Sequence, residues 1–141
     1  MAKRETPTIR VRIDLSPDSA LGPGKISLLE HIESSGSLSK AARELGMSYR
    51  RAWLLLDDIN GMFNDPATTA SVGGSGGGGA RLTDLGREIV KAYREIEDAA
   101  EKAASARIAW LASCRRKATR RSATSKRPMT LSARKAHAAR K

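Results

Sequence analysis

Apolar and polar residues alternate from Thr8 to Leu15, with Ile9, Val11, Ile13 and Leu15 on one side and Arg10, Arg12 and Asp14 on the other. A period of two predicts a half-buried strand there. The next stretch, SPDSALGPG, is rich in turn residues and is expected to end it. From Lys25 to Ser34 the period lengthens: Ile26, Leu28, Leu29 and Ile32 recur at helical spacing, and Gly36 is placed as a C-cap. Ser37 is placed to N-cap a second helix, SLSKAAREL, which Gly46 stops. Ser48 is placed to cap a third, SYRRAWLLLDDINGMF, which ends at Asn64-Asp65-Pro66. ATTASV is strand-compatible, and ARLT comes after a run of glycines. Thr83 or Asp84 then opens a last helix expected to reach about Ala112.

That last helix is long for its surroundings. About 30 residues at ~1.5 Å each make ~45 Å, more than the span of the small body it leaves. Leu82, Leu85, Ile89, Tyr93, Ile96, Ala100 and Ala103 recur along it at intervals of three and four, close to a heptad seam. Ile108, Trp110 and Leu111 add apolar bulk near its end. A homodimer built on Leu85, Ile89, Tyr93, Ile96 and Ala100 is therefore expected. The competing reading packs the stripe on its own domain.

The two short middle helices fit a helix-turn-helix. Gly46 stands at the turn, and Ala42, with Ala41 beside it, leaves room for two helices to cross closely. Leu38, Leu45, Met47, Ala52 and Leu55 occupy the positions that lock such a unit. The second helix would then turn Ser48, Tyr49, Arg50, Arg51, Trp53, Leu54 and Asp57 outward, its N-terminal end toward a DNA major groove. Arg50 and Arg51 sit in the first turn, where the helix macrodipole disfavours cations by ~0.3–1 kcal/mol each. An external phosphate or guanine edge would compensate. For Tyr49 and Trp53, burial in the core is the competing reading.

The glycines then acquire a place. Six of the twelve lie between Gly73 and Gly79, a composition that also suits a flexible linker. The segment beyond them is one helix rather than a second domain. A strand, a glycine tip and a second strand after the recognition helix describe a wing. Bare backbone at Gly76, Gly77, Gly78 and Gly79 would approach phosphates, and Arg81 just beyond would add a charge. The expected fold is mostly α with a small β-wing: a winged helix-turn-helix with a long C-terminal dimerisation helix at about 83–112.

Charge divides the chain. Residues 1–114 hold 15 Lys and Arg against 15 Asp and Glu, whereas 115–141 hold 11 basic residues and no acidic one, which accounts for the whole net charge of +11. The expectation is a neutral domain over 1–114 and a disordered polycationic tail over 115–141, able to attract nucleic acid in a salt-dependent way. No apolar run approaches the ~20 residues of a membrane span, and no secretory leader is apparent, so a cytoplasmic protein with no membrane partner is expected. The single cysteine, Cys114, lies far in sequence from His31 and His137. No zinc-ligand spacing exists and no cofactor is expected.

The run LGPGKISLLEHIESSGSLSKAARELGMSYRRAWLLLDDIN, followed by GGSGGGGARLTDLG, resembles the DNA-binding domain of the molybdate-responsive (ModE-type) transcription regulators. It is more distantly similar to the LysR-type helix-turn-helix. The resemblance covers roughly residues 8–98 and implies a winged helix that dimerises through its terminal segments and controls operons of molybdenum homeostasis. Position by position, it implies DNA contact at Ser48, Tyr49, Arg50 and Arg51 and along the wing from Gly76 to Arg81. Members of that family carry molybdate in separate C-terminal β-barrel modules. Here a basic tail stands in their place; TLSAR at 130–134 resembles a segment of them only faintly, so direct molybdate binding is not expected.

The expected protein is a sequence-specific, dimeric regulator of transcription on double-stranded DNA. The alternative is an architectural, nucleoid-associated protein that binds through its tail. No enzyme is expected. Asp57 and Asp58 point in different directions on a helix, and the glycine run lacks the Gly-Lys-Ser/Thr ending of a phosphate-binding loop, having Ala80-Arg81 instead.

Overall fold

The computed structural model describes residues 6–71 and 79–116. Its elements are β1 (Ile13–Ser16), β2 (Ser19–Leu21), α1 (Pro23–Ser35), α2 (Leu38–Glu44), α3 (Tyr49–Met62), β3 (Thr68–Ser71), β4 (Gly79–Leu82) and α4 (Asp84–Cys114). The chain is mostly helical with two small antiparallel sheets, an arrangement compatible with a winged-helix-like fold.

The helix boundaries follow local chemistry. Pro23 occupies the first turn of α1, where its missing N–H costs nothing. Gly36 ends α1 with φ +70°, and Gly46 stands between α2 and α3 with φ +67°; both are left-handed conformations that favour glycine. Ser37 Oγ accepts the Lys40 N–H at 3.3 Å, and Ser48 Oγ accepts the Arg51 N–H at 3.1 Å. Thr83 Oγ1 accepts the Gly86 N–H at 3.1 Å. Each hydroxyl satisfies one of the orphan amides at a helix start.

The first strand departs from expectation. Residues 8–12 form no strand; β1 begins at Ile13, and the turn-rich stretch itself supplies β2. A strand needs a partner within reach. Ile13 pairs with Leu21, Asp14 with Ala20 and Ser16 with Ser19, leaving Pro17 and Asp18 as the turn. The register shifts between Asp14 and Ser16, which bulges Leu15 and leaves it half exposed.

Helix α1 is the centre of the molecule and touches α2, α3, α4 and β4. Its Ile26, Leu28, Leu29 and Ile32 are fully buried, each contributing ~1.5–3 kcal/mol by leaving water. Leu21 of β2, Leu38, Ala41 and Ala42 of α2, Ala52 and Ile59 of α3, Ala67 before β3, and Leu82, Ile89 and Tyr93 further along complete the core, with Leu45, Met47 and Leu55 packed against it. From Ile96 onward no residue of α4 is fully buried. At 31 residues the helix runs ~46 Å, and its distal half leaves the body. No helix among the described residues is long and apolar enough to cross a membrane.

Candidate nucleic-acid interface

Helix α3 buries one face and exposes the other. Ala52 and Ile59 face the core, and Leu55, Leu56 and Met62 are partly covered. The opposite face carries Tyr49, Trp53 and Leu54, exposed by 57%, 49% and 50%, beside exposed Arg50 and Arg51. Burial of Tyr49 and Trp53 is thereby excluded: both are large rings held half in solvent. Tyr49 and Trp53 stand one helical turn apart, as do Arg50 and Leu54, so the surface is a continuous mixture of cation and apolar contact area. Neither guanidinium forms a hydrogen bond or ion pair among the described residues; Arg51 donates only its backbone N–H, to Ser48 Oγ. No acid stands in that first turn, leaving two cations beside the positive end of the helix with nothing local to offset them. Arg51 also borders an open cleft of about 500 Å³ lined by the β1–β2 turn, the start of α1 and α3, with Arg12 among its lining residues.

The β3–β4 hairpin is fixed to this helix by polar groups that hydrophobic pattern does not reveal. Asn60, near the end of α3, accepts the Ala67 and Thr68 N–H groups at 2.9 and 3.1 Å and donates to Thr68 Oγ1 at 3.0 Å. Thr68 is 7% exposed, so these are costly groups to leave unpaired. The returning strand is held from the other side by the end of α1. Ala80 N–H donates to the Gly36 carbonyl at 3.0 Å, and Leu82 N–H donates to Glu33 Oε2 at 3.1 Å. Glu33 Oε1 also accepts from Arg87 Nε at 3.0 Å. The Leu82 amide first, and then the Arg87 guanidinium, hold the Glu33 carboxyl below the usual carboxylate range. Position alone offered a signal for Glu33: it is an acid in the last turn of a helix, where the macrodipole disfavours it. Arg50 and Arg51, cations in the first turn of α3, are the mirror image of that mismatch.

Along the hairpin, Thr69 pairs with Arg81 and Ser71 with Gly79. Arg81 is exposed while its neighbour Leu82 enters the core. Gly76, Gly77 and Gly78 lie outside the described residues. Gly79 is the first residue of β4 and is partly buried. A Cβ there would collide with Ser71 Oγ and come within 3.0 Å of the Gly36 carbonyl oxygen. Close packing against the end of α1 accounts for this glycine.

The expected seam on α4 divides in two. Ile89 and Tyr93 are 8% and 1% exposed within their own chain, and Leu85 packs against the same core. Tyr93 Oη donates to the Val11 carbonyl at 2.6 Å, tying the N-terminal segment to α4, and burial pushes its phenol pKa up. Arg94 grips Glu30 of α1 through two hydrogen bonds, at 2.7 and 2.8 Å, and reaches Glu97 at 2.6 Å. Those bonds to Arg94 lower the Glu30 carboxyl and, with Glu97, raise the guanidinium. Ile96 and Ala100, by contrast, remain available, Ile96 at 46% exposure.

No family model matches the chain. Individual proteins do. The molybdenum transport protein ModE of Azotobacter vinelandii is 41% identical over 88 residues, which cover 62% of this chain and 33% of that one. The DNA-binding transcriptional dual regulator ModE of Escherichia coli is 38% identical over 81 residues, 57% of this chain and 31% of the relative. The molybdenum-pterin-binding protein MopB of Rhodobacter capsulatus is 43% identical over 77 residues, 55% and 28% respectively. The matched segment is similar to these ModE and Mop proteins. The chain spans about a third of the length of the curated relatives it matches.

Proposed function

We propose that this chain is a sequence-specific, DNA-binding regulator of transcription, acting as a homodimer in molybdate-related control. Helices α2 and α3 form a helix-turn-helix, with α3 as the recognition helix and β3–β4 as the wing. The observation that carries this reading is the exposed face of α3. Arg50 and Arg51 are uncompensated cations at a helix N-terminus, flanked by half-exposed Tyr49, Trp53 and Leu54, the composition expected of a surface that meets phosphates and base edges. Arg81 on the hairpin adds a second cationic contact. The ModE relative named a DNA-binding transcriptional regulator and the relatives named for molybdenum support the same direction. Molybdate enters as the subject of the regulation, with no site for it assigned on the described residues.

Recovery of bound DNA across a genome, with and without molybdate, tests the proposal. A regulator yields discrete, pseudo-palindromic sites with half-sites about one DNA turn apart, ~34 Å, or a multiple of it. Even coverage would instead favour the architectural reading, for which the 11 basic and no acidic residues of 115–141 are the supporting observation.

A further inference from the structure

We infer that the cleft at the start of α1 is a further DNA-contact surface, where Arg10, Arg12 and Arg51 hold the sugar-phosphate backbone of duplex flanking the bases that α3 reads. This rests on the DNA-binding part of the proposed function and extends its footprint to the end of α1 remote from the β3–β4 hairpin.

The N-terminal segment presents two of the three cations. Residues 8–12 pair with no strand, yet exposure alternates from Ile9 to Asp14 as in an extended chain. Val11 and Ile13 pack against the core, while Arg10 and Arg12 are exposed. The Val11 carbonyl between them accepts from Tyr93 Oη at 2.6 Å, which anchors the backbone on which they stand. Both arginines border an open cleft of about 540 Å³ beside Pro23 and Gly24. Arg12 also borders the adjoining cleft of about 500 Å³, whose lining includes Arg51 of α3.

The charges there are left for an outside partner. Arg10 has no hydrogen bond or ion pair among the described residues. Arg12 uses only Nε, in an exposed pair with Asp14 at 2.8 Å, and such pairs contribute little. Lys25 is already held by Asp58 and the Ala20 carbonyl. Among the described residues lining the two clefts, Asp18 is the only acid. Residues 1–114 are neutral as a whole, so this excess is offset elsewhere: from Asp84 to Asp98, α4 carries five acidic and three basic residues. A neutral domain with its charges separated in this way turns one side toward a polyanion.

Gly24 is an independent indication. It stands in the first turn of α1 without a positive φ, and a Cβ added to it meets nothing within 4 Å. Helix stability favours alanine over glycine, and the fold has no need of a glycine here. Bare backbone at Gly24 leaves both clefts open to a closely approaching ligand. The placement suits a duplex. Arg51 and Leu55 of α3 line the cleft at the start of α1, whereas Asn60 of α3 and Gly36 at the end of α1 hold the hairpin. The two surfaces lie at opposite ends of α1, ~18 Å apart along it, and α3 runs from one to the other.

The test uses the full chain and a site recovered from the genome, once with flanking base pairs and once trimmed to its half-sites. Arg10→Ala/Arg12→Ala is expected to weaken binding to the long duplex about tenfold or more and to lower the salt slope by about 1 per lost contact, with the ratio of specific to scrambled affinity unchanged. On the trimmed duplex the loss should disappear. Lys91→Ala/Lys102→Ala removes the same charge from exposed positions on α4; an equal loss in that protein overturns the inference. Gly24→Glu separates binding from folding. An acid in a first turn suits the helix macrodipole, so the melting temperature should hold or rise while affinity for the long duplex falls about tenfold. Affinity equal to that of wild type overturns the inference and leaves the regulator reading intact, whereas a wild type that prefers no site overturns both. Inorganic phosphate probes the other occupant, a small oxyanion. If it raises the melting temperature of DNA-free wild type but not of Arg10→Ala/Arg12→Ala, and that variant binds DNA as wild type does, the cleft belongs to a free anion and the inference is overturned.

Discussion

Glu33, in the last turn of α1, accepts the backbone N–H of Leu82 at 3.1 Å across 49 residues of sequence. A carboxylate thus completes the outer edge of β4 and sets the hairpin's position relative to the helices beside it. Glu33→Gln is expected to lower stability by about 1 kcal/mol, the scale of a charge-assisted hydrogen bond that is partly open to solvent. The pH dependence has a definite sign. The folded pKa of Glu33 is lowered, so its contribution is present above the ordinary carboxylate value of about 4.3 and lost as pH falls through the folded value. Urea midpoints of wild type and variant should differ at pH 7 and converge in acid. A gap that persists at low pH would mean the side chain acts by shape and not by charge.

Asn60 has the larger structural effect. Replacing it with alanine leaves the Ala67 and Thr68 amides and the Thr68 hydroxyl without partners. The expected cost is about 2–3 kcal/mol, since each buried unpaired group is penalised separately. Amide exchange should rise first at Thr68 and its neighbours in β3. Uniform faster exchange across α1 would instead indicate that Asn60 supports the whole core.

Arg50→Ala and Arg51→Ala should separate function from stability. Each should weaken a specific site by ~1–3 kcal/mol where the guanidinium reads a base, and weaken specific and random DNA alike where it meets a phosphate. Neither should destabilise the fold. Removing a cation from the start of α3 relieves an unfavourable dipole interaction of ~0.3–1 kcal/mol. Thermal melts and titrations of the same preparations check both halves, and lost stability would place these arginines among the structural residues.

The glycine run calls for two different substitutions. Gly79→Ala should destabilise the hairpin, because the added Cβ meets Ser71 and the Gly36 carbonyl. Substituting Gly76, Gly77 and Gly78 with Ser or Ala tests the wing-tip reading instead: DNA affinity should fall while the melting temperature holds. Unchanged affinity would return those residues to a spacer.

The features legible in the sequence are those set by neighbours along the chain. Hydroxyls at Ser37, Ser48 and Thr83, glycines at 36 and 46, and the Asn64-Asp65-Pro66 stop are local devices, and the helix limits follow them closely. The β1–β2 hairpin is not legible in this way, because alternation from Ile9 onward says nothing about where a partner strand lies; the pairing of Ile13 with Leu21 decides it. The partners of Glu33 and Asn60 escape sequence reasoning for a related cause. A polar residue on a helix reads as solvent-facing until a distant backbone segment is brought against it. On α4, heptad spacing identifies the apolar stripe but cannot say that its own body takes Ile89 and Tyr93 and leaves Ile96.

Deleting residues 115–141 removes 11 positive charges and no negative ones, and the outcome ranks the two ways this chain can hold DNA. Each phosphate neutralised by the tail contributes about 0.9 to the slope of log affinity against log salt on duplex DNA. If α3 and the hairpin determine the site, the shortened protein keeps its ratio of specific to random affinity and shows a shallower salt slope. If the tail does the binding, both affinities collapse together and no preference survives. Titrations at several salt concentrations, on one recovered site and one scrambled duplex, distinguish these cases, because a preference that survives loss of every tail charge must reside in the folded surface.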